Sequence, residues 1–191
     1  MKKLLAMMLT LTLAFGITAC GGAGDSGAAK DDTEGKKAVD ILTDVWAAYE
    51  EDEKFALSGG DYENMVSDAP GAINVADGEA LDSLLGFPAD QAGLLDDGAS
   101  MMHMMNQNTF TAAAYHVAEA GDVTTVADAL KENIMNRQWM CGFPDDLVIY
   151  SVGTNYVVAA FGAEEVVDSF EGHLEEVFAS AENLYDEDLT F

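Results

Sequence analysis

Two β-rich runs joined by a short turn constrain the fold of this chain more than any other feature. Residues 147–152 and 156–161 are rich in β-branched and aromatic side chains, and Gly153-Thr154-Asn155 separates them. Strong strand formers on either side of a short, glycine-containing turn predict a β-hairpin. An apolar stripe at helical spacing follows directly and predicts a last helix. Its members are Val166, Val167, Phe170, Leu174, Val177, Phe178 and Ala181.

The segment before the hairpin adds extended chain and a helix. Residues 101–105 and 109–118 are expected to be extended, and Asp122 is suited to cap the helix that follows. The buried face of that helix is marked by Val123, Val126, Leu130 and Ile134. From residue 109 the predicted order is strand, helix, strand, strand, helix. This order favours an α+β fold in which a small antiparallel sheet carries helices packed on one face.

The first half of the chain is less regular. Val39, Leu42, Trp46 and Tyr49 recur at helical spacing and predict an amphipathic helix over residues 38–53. Residues 54–100 are rich in glycine and aspartate, so we expect loops there with one or two short helices, including residues 79–85. The acidic tail from Tyr185 is expected to fray.

The N-terminal residues predict where the protein resides. Lys2 and Lys3 precede an apolar stretch from Leu4 to Phe15, and Ile17-Thr18-Ala19-Cys20 follows, which is the layout of a signal peptide that ends in a bacterial lipobox. We therefore predict a signal peptide over residues 1–19, a lipidated flexible tether over residues 20–37 and one α+β domain over residues 38–191. Lipid on Cys20 would hold the protein at the outer face of a bacterial membrane, in the cell envelope.

Composition narrows the range of partners. Loss of Lys2 and Lys3 with the signal peptide leaves six basic against 35 acidic residues, a formal charge of −29. Such a charge repels nucleic-acid phosphates and anionic lipid headgroups. We therefore expect no nucleic-acid partner, and expect either a surface protein or a cationic peptide. Lipidation of Cys20 leaves only Cys141, so stability must come from packing rather than from a disulfide.

A methionine-rich segment is the one candidate for metal chemistry. Thioether and imidazole ligands favour Cu(I), and Met101, His103 and Met105 would share one face of a strand. Methionine is also an adaptable core filler, and this interpretation is preferred. Cys141 lacks the second cysteine that a Cys-x-x-Cys redox site requires. The sequence therefore predicts no catalytic residue and no cofactor.

Three stretches carry a family resemblance. They are FTAAAYHVAEAGDVTTVADALKENIMNRQW (residues 110–139), LVIYSVGTNYVVAAFG (residues 147–162) and AEEVVDSF (residues 163–170). With the preceding Met-rich segment, they make residues 101–182 similar to an uncharacterised family of bacterial lipoproteins that share a C-terminal domain of unknown function. Some members of that family are labelled bacteriocin transport accessory protein. The resemblance implies the α+β architecture and the lipoprotein class, and it transfers no site residue.

The leading hypothesis from the sequence is a membrane-anchored extracytoplasmic lipoprotein that acts as a binding or accessory module without catalysis. The alternative hypothesis is a copper-handling lipoprotein that uses the Met/His segment.

Overall fold

A computed structural model of the protein describes residues 31–140 and 142–189. The α-helices are α1 (Ala38–Ala48), α2 (Gly78–Leu85), α3 (Val123–Met135) and α4 (Glu164–Val177). The strands are β1 (Leu57–Gly59), β2 (Val66–Ser67), β3 (Gly71–Ala72), β4 (Leu95–His103), β5 (Phe110–Val117), β6 (Asp146–Val152), β7 (Tyr156–Gly162) and β8 (Glu182–Asp188). Two short 3₁₀ segments, Ala89–Leu94 and Ala120–Asp122, complete the regular structure of the described residues.

All eight strands belong to one antiparallel sheet. Their order is β2-β1-β4-β5-β7-β6-β8, and β3 pairs with β4 beyond the end of β1. The predicted hairpin is present as β6 and β7, with Val152 opposite Tyr156. The α+β class and the antiparallel sheet are therefore confirmed.

The prediction that the helices pack on one face of the sheet is wrong. Helices α1 and α4 cover one face, whereas α2 and α3 cover the other, and each face has its own apolar core. Alternate residues of β5 enter the two cores: Phe110, Ala112 and Ala114 face α1 and α4, while Ala113, Tyr115 and Val117 face the opposite side. An almost unbroken apolar strand is typical of burial on both faces, because a sheet with one wet face needs polar residues at alternate positions.

Helix α1 is shorter than predicted and presents a shifted face. It ends at Ala48 rather than near residue 53, and Leu42 and Tyr49 are buried as expected. Val39 and Trp46 are only partly buried. The fully buried positions of α1 are Ala38, Ile41, Leu42 and Val45. A tertiary hydrogen bond holds the start of α1 on the sheet, because the Ala38 N–H donates to Asp97 Oδ2 on β4 at 2.8 Å.

The stretch predicted as loops contains more regular structure than expected. The short helix predicted at residues 79–85 is confirmed as α2, whose N-cap Asp77 accepts a hydrogen bond from the Ala80 N–H. Strands β1, β2 and β3 and the first six residues of β4 also fall in this stretch. Their glycines bring strands together: a Cβ on Gly59 would lie 2.3 Å from the backbone nitrogen of Gly71.

The acidic tail does not fray as predicted, because it forms the edge strand β8. Helix α3 on the adjoining face holds it through polar contacts. Lys131 bonds Glu187 and lies 4.2 Å from the ring centre of Tyr185, whose hydroxyl donates to Asp128. These partners lie more than fifty residues from the tail, so its own composition gave no sign of them.

Part of the predicted tether is also ordered on the domain. The Asp32 carboxylate accepts hydrogen bonds from the Ser180 hydroxyl and backbone N–H, and the Thr154 hydroxyl donates to Asp31 Oδ2 at 2.8 Å. Thr33 is buried, and a Cβ on Gly153 would lie 2.2 Å from its Oγ1. The domain therefore includes residues 31–37. The rest of the tether, the signal peptide and Cys20 lie outside the described residues.

Asp32→Ala should destabilise the fold by about 1–2 kcal/mol, because Ser180 would lose its acceptor for two hydrogen bonds. Thermal and urea unfolding would measure the loss. Glu34→Ala is the matched control, since Glu34 is an exposed carboxylate of the same segment. Equal stability of the two variants would mean that the hydrogen bonds between Asp32 and Ser180 do not stabilise the fold.

Candidate functional site

Exposed apolar side chains gather on three loops of the described chain. Their exposed fractions range from 38% to 81%, in a protein whose other large apolar residues are mostly buried. These residues, which we call the apolar end surface, are Tyr62, Met65, Val66, Met104, Met105, Met140 and Phe143. They come from the β1–β2 hairpin, the β4–β5 turn and the α3–β6 loop. Clustered exposed apolar residues mark interaction sites more often than isolated ones.

Two adjacent cavities lie within this surface. One, of about 170 Å³, is lined by Tyr62, Met65 and Met104, among others. The second, of about 200 Å³, is lined by Trp139 and Met140. Leu84 and Gln107 line both cavities and so form a shared wall. Each is smaller than the roughly 300–1,000 Å³ typical of small-molecule pockets, so each suits one or two side chains of a protein partner.

A buried carboxylate shapes the β1–β2 hairpin. Asp61 accepts hydrogen bonds from the backbone N–H groups of Glu63, Asn64 and Asn74, the last at 2.7 Å. Burial opposes ionisation of Asp61, but these hydrogen bonds outweigh it and hold the pKa of the carboxyl below its usual value. The ionised Asp61 thus fixes the loop that exposes Tyr62 and Met65.

Polar contacts connect the other two loops. The Asn108 side-chain amide in the β4–β5 turn donates to the carbonyl oxygens of Met140 at 3.0 Å and Gly142 at 2.9 Å. Arg137 at the end of α3 donates to the carbonyl oxygens of Asp82 and Ser83 on α2, and its guanidinium lies 5.4 Å from the Trp139 ring centre. The cavity walls are therefore fixed by hydrogen bonds, while the exposed methionine side chains above them remain adaptable.

An acidic groove lies at the same end of the sheet. Its volume is about 400 Å³, and every lining residue is a carboxylate: Asp145, Asp146, Glu164, Asp168, Asp186 and Asp188. It is formed where β6, α4 and the edge strand β8 meet, at the end of the sheet that also carries the β4–β5 turn. The groove lies on the face of the sheet that α4 covers, whereas the two cavities lie on the face that α2 and α3 cover.

Helix α4 extends the acidic character beyond the groove. Glu164, Asp168, Glu171 and Glu175 recur at helical spacing on one side of α4. The Tyr150 hydroxyl donates to Glu171 and Glu175, and the Asn183 amide donates to Glu171 at 3.1 Å. Burial, together with these carboxylates, raises the pKa of Tyr150.

The position of Asp146 in the acidic groove raises its pKa. Burial raises its pKa to about 6, and the neighbouring charges of Asp186, Asp168 and Glu171 act in the same direction. The Leu147 N–H donates to Asp146 Oδ1 at 2.9 Å and partly opposes the rise. The groove is therefore a region of negative potential that a cation would relieve.

The three candidate copper ligands do not form a ligand set. Met101 is fully buried in the core beneath α1, whereas Met105 is 81% exposed beyond the end of β4. His103 stacks on Phe55, and its Nδ1 accepts from the backbone N–H groups of Met105 and Asn106, each at 3.3 Å. Met101 thus packs in the core, and His103 stabilises the turn.

The remaining candidate residues lie outside the described residues or outside any site. Cys20 and Cys141 are among the residues that the structure does not describe. Within residues 31–140 and 142–189, no group of three or more His, Cys, Asp or Glu side chains could hold a metal ion. The carboxylates of the acidic groove are thus spread along it rather than converging on one point. No helix in the same ranges is long and apolar enough to cross a membrane.

No protein-family model, curated protein or solved structure matches this chain. The family resemblance drawn from the sequence therefore stays a prediction, and the site has to be interpreted from its own chemistry.

Sequence reasoning identified the methionines of the β4–β5 turn but not the surface to which they belong. Tyr62 and Met65 come from the β1–β2 hairpin, and Met140 and Phe143 come from the α3–β6 loop. Only the fold brings Tyr62 and Met65 to the cavity that Met104 lines, next to the cavity that Met140 lines. Their sequence signal was their position: each is a large apolar residue in a polar, glycine-containing segment, outside any helical or strand period. Such residues have no core to enter and are candidates for a binding surface.

Asp146→Asn should change how stability depends on pH. Because the pKa of Asp146 is raised to about 6 from an ordinary 3.8, the folded state holds its proton more tightly than the unfolded state. Its contribution to stability is therefore fully present below pH 4 and is lost as the pH rises to about 6. The asparagine variant should match the wild type at pH 4 and unfold at a higher temperature at pH 8.

Unfolding temperatures measured from pH 4 to pH 8 would check this expectation. Asp90→Asn, on an exposed residue of the 3₁₀ segment, removes the same charge as a control. A stability difference between Asp146→Asn and the wild type that stays constant over this range would contradict the raised pKa.

Proposed function

We propose that this protein is a lipoprotein of the bacterial cell envelope, anchored by lipid on Cys20, and that its domain is a binding or accessory module without catalysis. The apolar end surface is the observation that carries the binding role. It combines exposed methionine and aromatic side chains with two cavities of side-chain size, and methionine is favoured where a surface must adapt to an apolar partner.

The direction of the chain supports this arrangement. The described chain begins at Asp31, which contacts Thr154 in the β6–β7 turn, at one end of the sheet. The β4–β5 turn lies at the opposite end, because Phe110 pairs with Gly162 while His116 pairs with Tyr156. A strand of this length separates the ends by about 20–25 Å. A domain held from its N-terminal side can thus present the apolar end surface away from its anchor.

Mass spectrometry of the N-terminal fragment tests the anchor. We expect a fragment that begins at Cys20 and carries a diacylglycerol, and we expect Cys20→Ala to abolish both the lipid and cleavage before residue 20. Cys141→Ala removes the other cysteine and should leave both intact. An unmodified Cys20, or a mature chain that begins elsewhere, would refute the proposed anchoring.

Methionine oxidation tests whether the apolar end surface is occupied in the cell. Dilute peroxide converts exposed methionine to its sulfoxide. We expect Met104, Met105 and Met140 to oxidise severalfold more slowly in intact cells than in the purified lipoprotein. Gly172→Met supplies a control, because a side chain at this exposed position of α4 meets no other atom within 4 Å.

The methionine introduced at position 172 reports how much peroxide reaches the protein in each preparation. If Met104, Met105 and Met140 oxidise at the same rate relative to it in cells and in the purified protein, nothing covers the surface and the binding role is wrong.

A further inference from the structure

We propose that Met65, Met102 and Met104 form a binding site for Cu(I) in the cavity of about 170 Å³ that all three residues line. None of these three ligands belongs to the copper site predicted from the sequence. The site goes beyond the proposed binding function and does not depend on it. Three features of the described residues support it: the strand face from which two ligands come, the contacts that fix the third, and the chemistry of the cavity wall.

The alternation of β4 sends its methionines to opposite faces of the sheet. Met101 enters the core beneath α1, whereas Met102 enters the core on the side of α2 and α3. Met104 follows two residues later, and its N–H donates to the Ala56 carbonyl oxygen at 2.9 Å, which continues the extended pairing. Residues two apart in a strand point to the same face and are separated by about 7 Å. Met102 and Met104 therefore both line the cavity.

The third thioether comes from the β1–β2 hairpin, which the fold fixes against the neighbouring chain. The buried Ser100 hydroxyl of β4 donates to the Gly60 carbonyl oxygen at 2.7 Å, and the Asn74 N–H donates to Asp61 Oδ2 at 2.7 Å. Met65 belongs to the hairpin held in this way and lines the same cavity. Because methionine is unbranched and has three rotatable bonds, the three side chains can direct their sulfurs toward one ion.

The chemistry of the cavity wall suits a soft cation. Thioether sulfur favours Cu(I) over hard cations such as Ca²⁺. Asp61 is the one carboxylate among the described residues that line the cavity, and its oxygens accept backbone hydrogen bonds from Glu63, Asn64 and Asn74. It therefore supplies negative charge near the ion while its oxygens are engaged elsewhere. No lysine or arginine is among the described lining residues, so no cation opposes the metal.

The exposure of the ligands indicates a site from which the metal can exchange. Met102 is only 6% exposed and lies at the buried side, whereas Met65 is 67% and Met104 is 48% exposed. An ion can thus reach the sulfurs without unfolding of the domain. His103 also lines the cavity, but its ring stacks on Phe55 and its Nδ1 accepts backbone hydrogen bonds. The three ligands are therefore assigned to sulfur.

The experiment titrates Cu(I) into the intact lipoprotein in phosphatidylcholine nanodiscs, in competition with the chromophoric Cu(I) chelator bicinchoninate. Ascorbate and exclusion of oxygen keep the copper reduced. All measurements use the Cys141→Ala background, so that no thiolate of the mature domain contributes. We expect one Cu(I) per chain, which excess Ca²⁺ does not displace, and an X-ray absorption spectrum described by sulfur ligands. A histidine nitrogen ligand, or displacement of the copper by Ca²⁺, would overturn the proposal.

Leucine substitutions locate the site, because leucine is close to methionine in volume but has no sulfur. Met65→Leu, Met102→Leu and Met104→Leu should each weaken Cu(I) binding at least about tenfold. The matched controls are Met105→Leu and Met140→Leu, which remove thioethers that are each 81% exposed but lie outside this cavity. Both controls should bind Cu(I) as tightly as the background protein.

The pattern across the five variants decides the outcome. Unchanged affinity in any one of the three cavity variants, or an equal loss in either control, would refute a site made of these three thioethers. Met65 and Met104 are exposed, so their substitutions should leave the unfolding temperature unchanged. A loss of copper binding in these two variants therefore cannot come from unfolding.

The copper site and the proposed binding function fail separately. Bound Cu(I) occupies the sulfur of Met104 but leaves those of Met105 and Met140 open to peroxide. Protection of Met105 and Met140 in cells would therefore support a partner on the apolar end surface even if no copper binds. Stoichiometric copper binding by the purified lipoprotein would stand even if these two methionines are unprotected.

Discussion

Burial of the central strands on both faces is the constraint on which the rest of the structure depends. Strands β5 and β7 pair over seven residues, with alanine opposite alanine at two central pairs, Ala112 with Ala160 and Ala113 with Ala159, and neither strand offers a polar face to water. Two helical layers are therefore required. The small side chains of Ala99, Ala112 and Ala114 leave room for α1 to approach β4 and β5 closely, and Asp97 on β4 accepts a hydrogen bond from the first residue of α1.

The parts of the fold that could be predicted from the sequence are those that a local pattern of residues encodes. The β6–β7 hairpin, α2, and the buried positions Val126, Leu130 and Ile134 of α3 all follow from spacing within one segment. The unbroken apolar run of residues 156–162 also indicated helices on both faces of the sheet, although the prediction placed them on one face only. Strand β8 and residues 31–37 were not predictable in this way, because polar contacts such as Lys131 with Glu187 and Asp32 with Ser180 hold them to distant residues.

The candidate site was less predictable than the fold, because it exists only in the tertiary structure. Met104 and Met105 were noticed for the chemistry of their sulfur, yet the fold buries Met101 and stacks His103 on Phe55, which separates the expected ligands. Asn108 connects the β4–β5 turn to the loop of Met140, so the exposed methionines belong to one surface rather than to the metal site predicted from the sequence. A residue type that suggests metal binding in the sequence becomes part of an adaptable apolar surface.

The acidic groove concentrates negative charge on the face of the sheet that α4 covers. Every described residue that lines the groove carries a carboxylate. Burial raises the pKa of Asp146, and the neighbouring carboxylates act in the same direction, so the folded state is less stable at neutral pH than it would be without this buried charge.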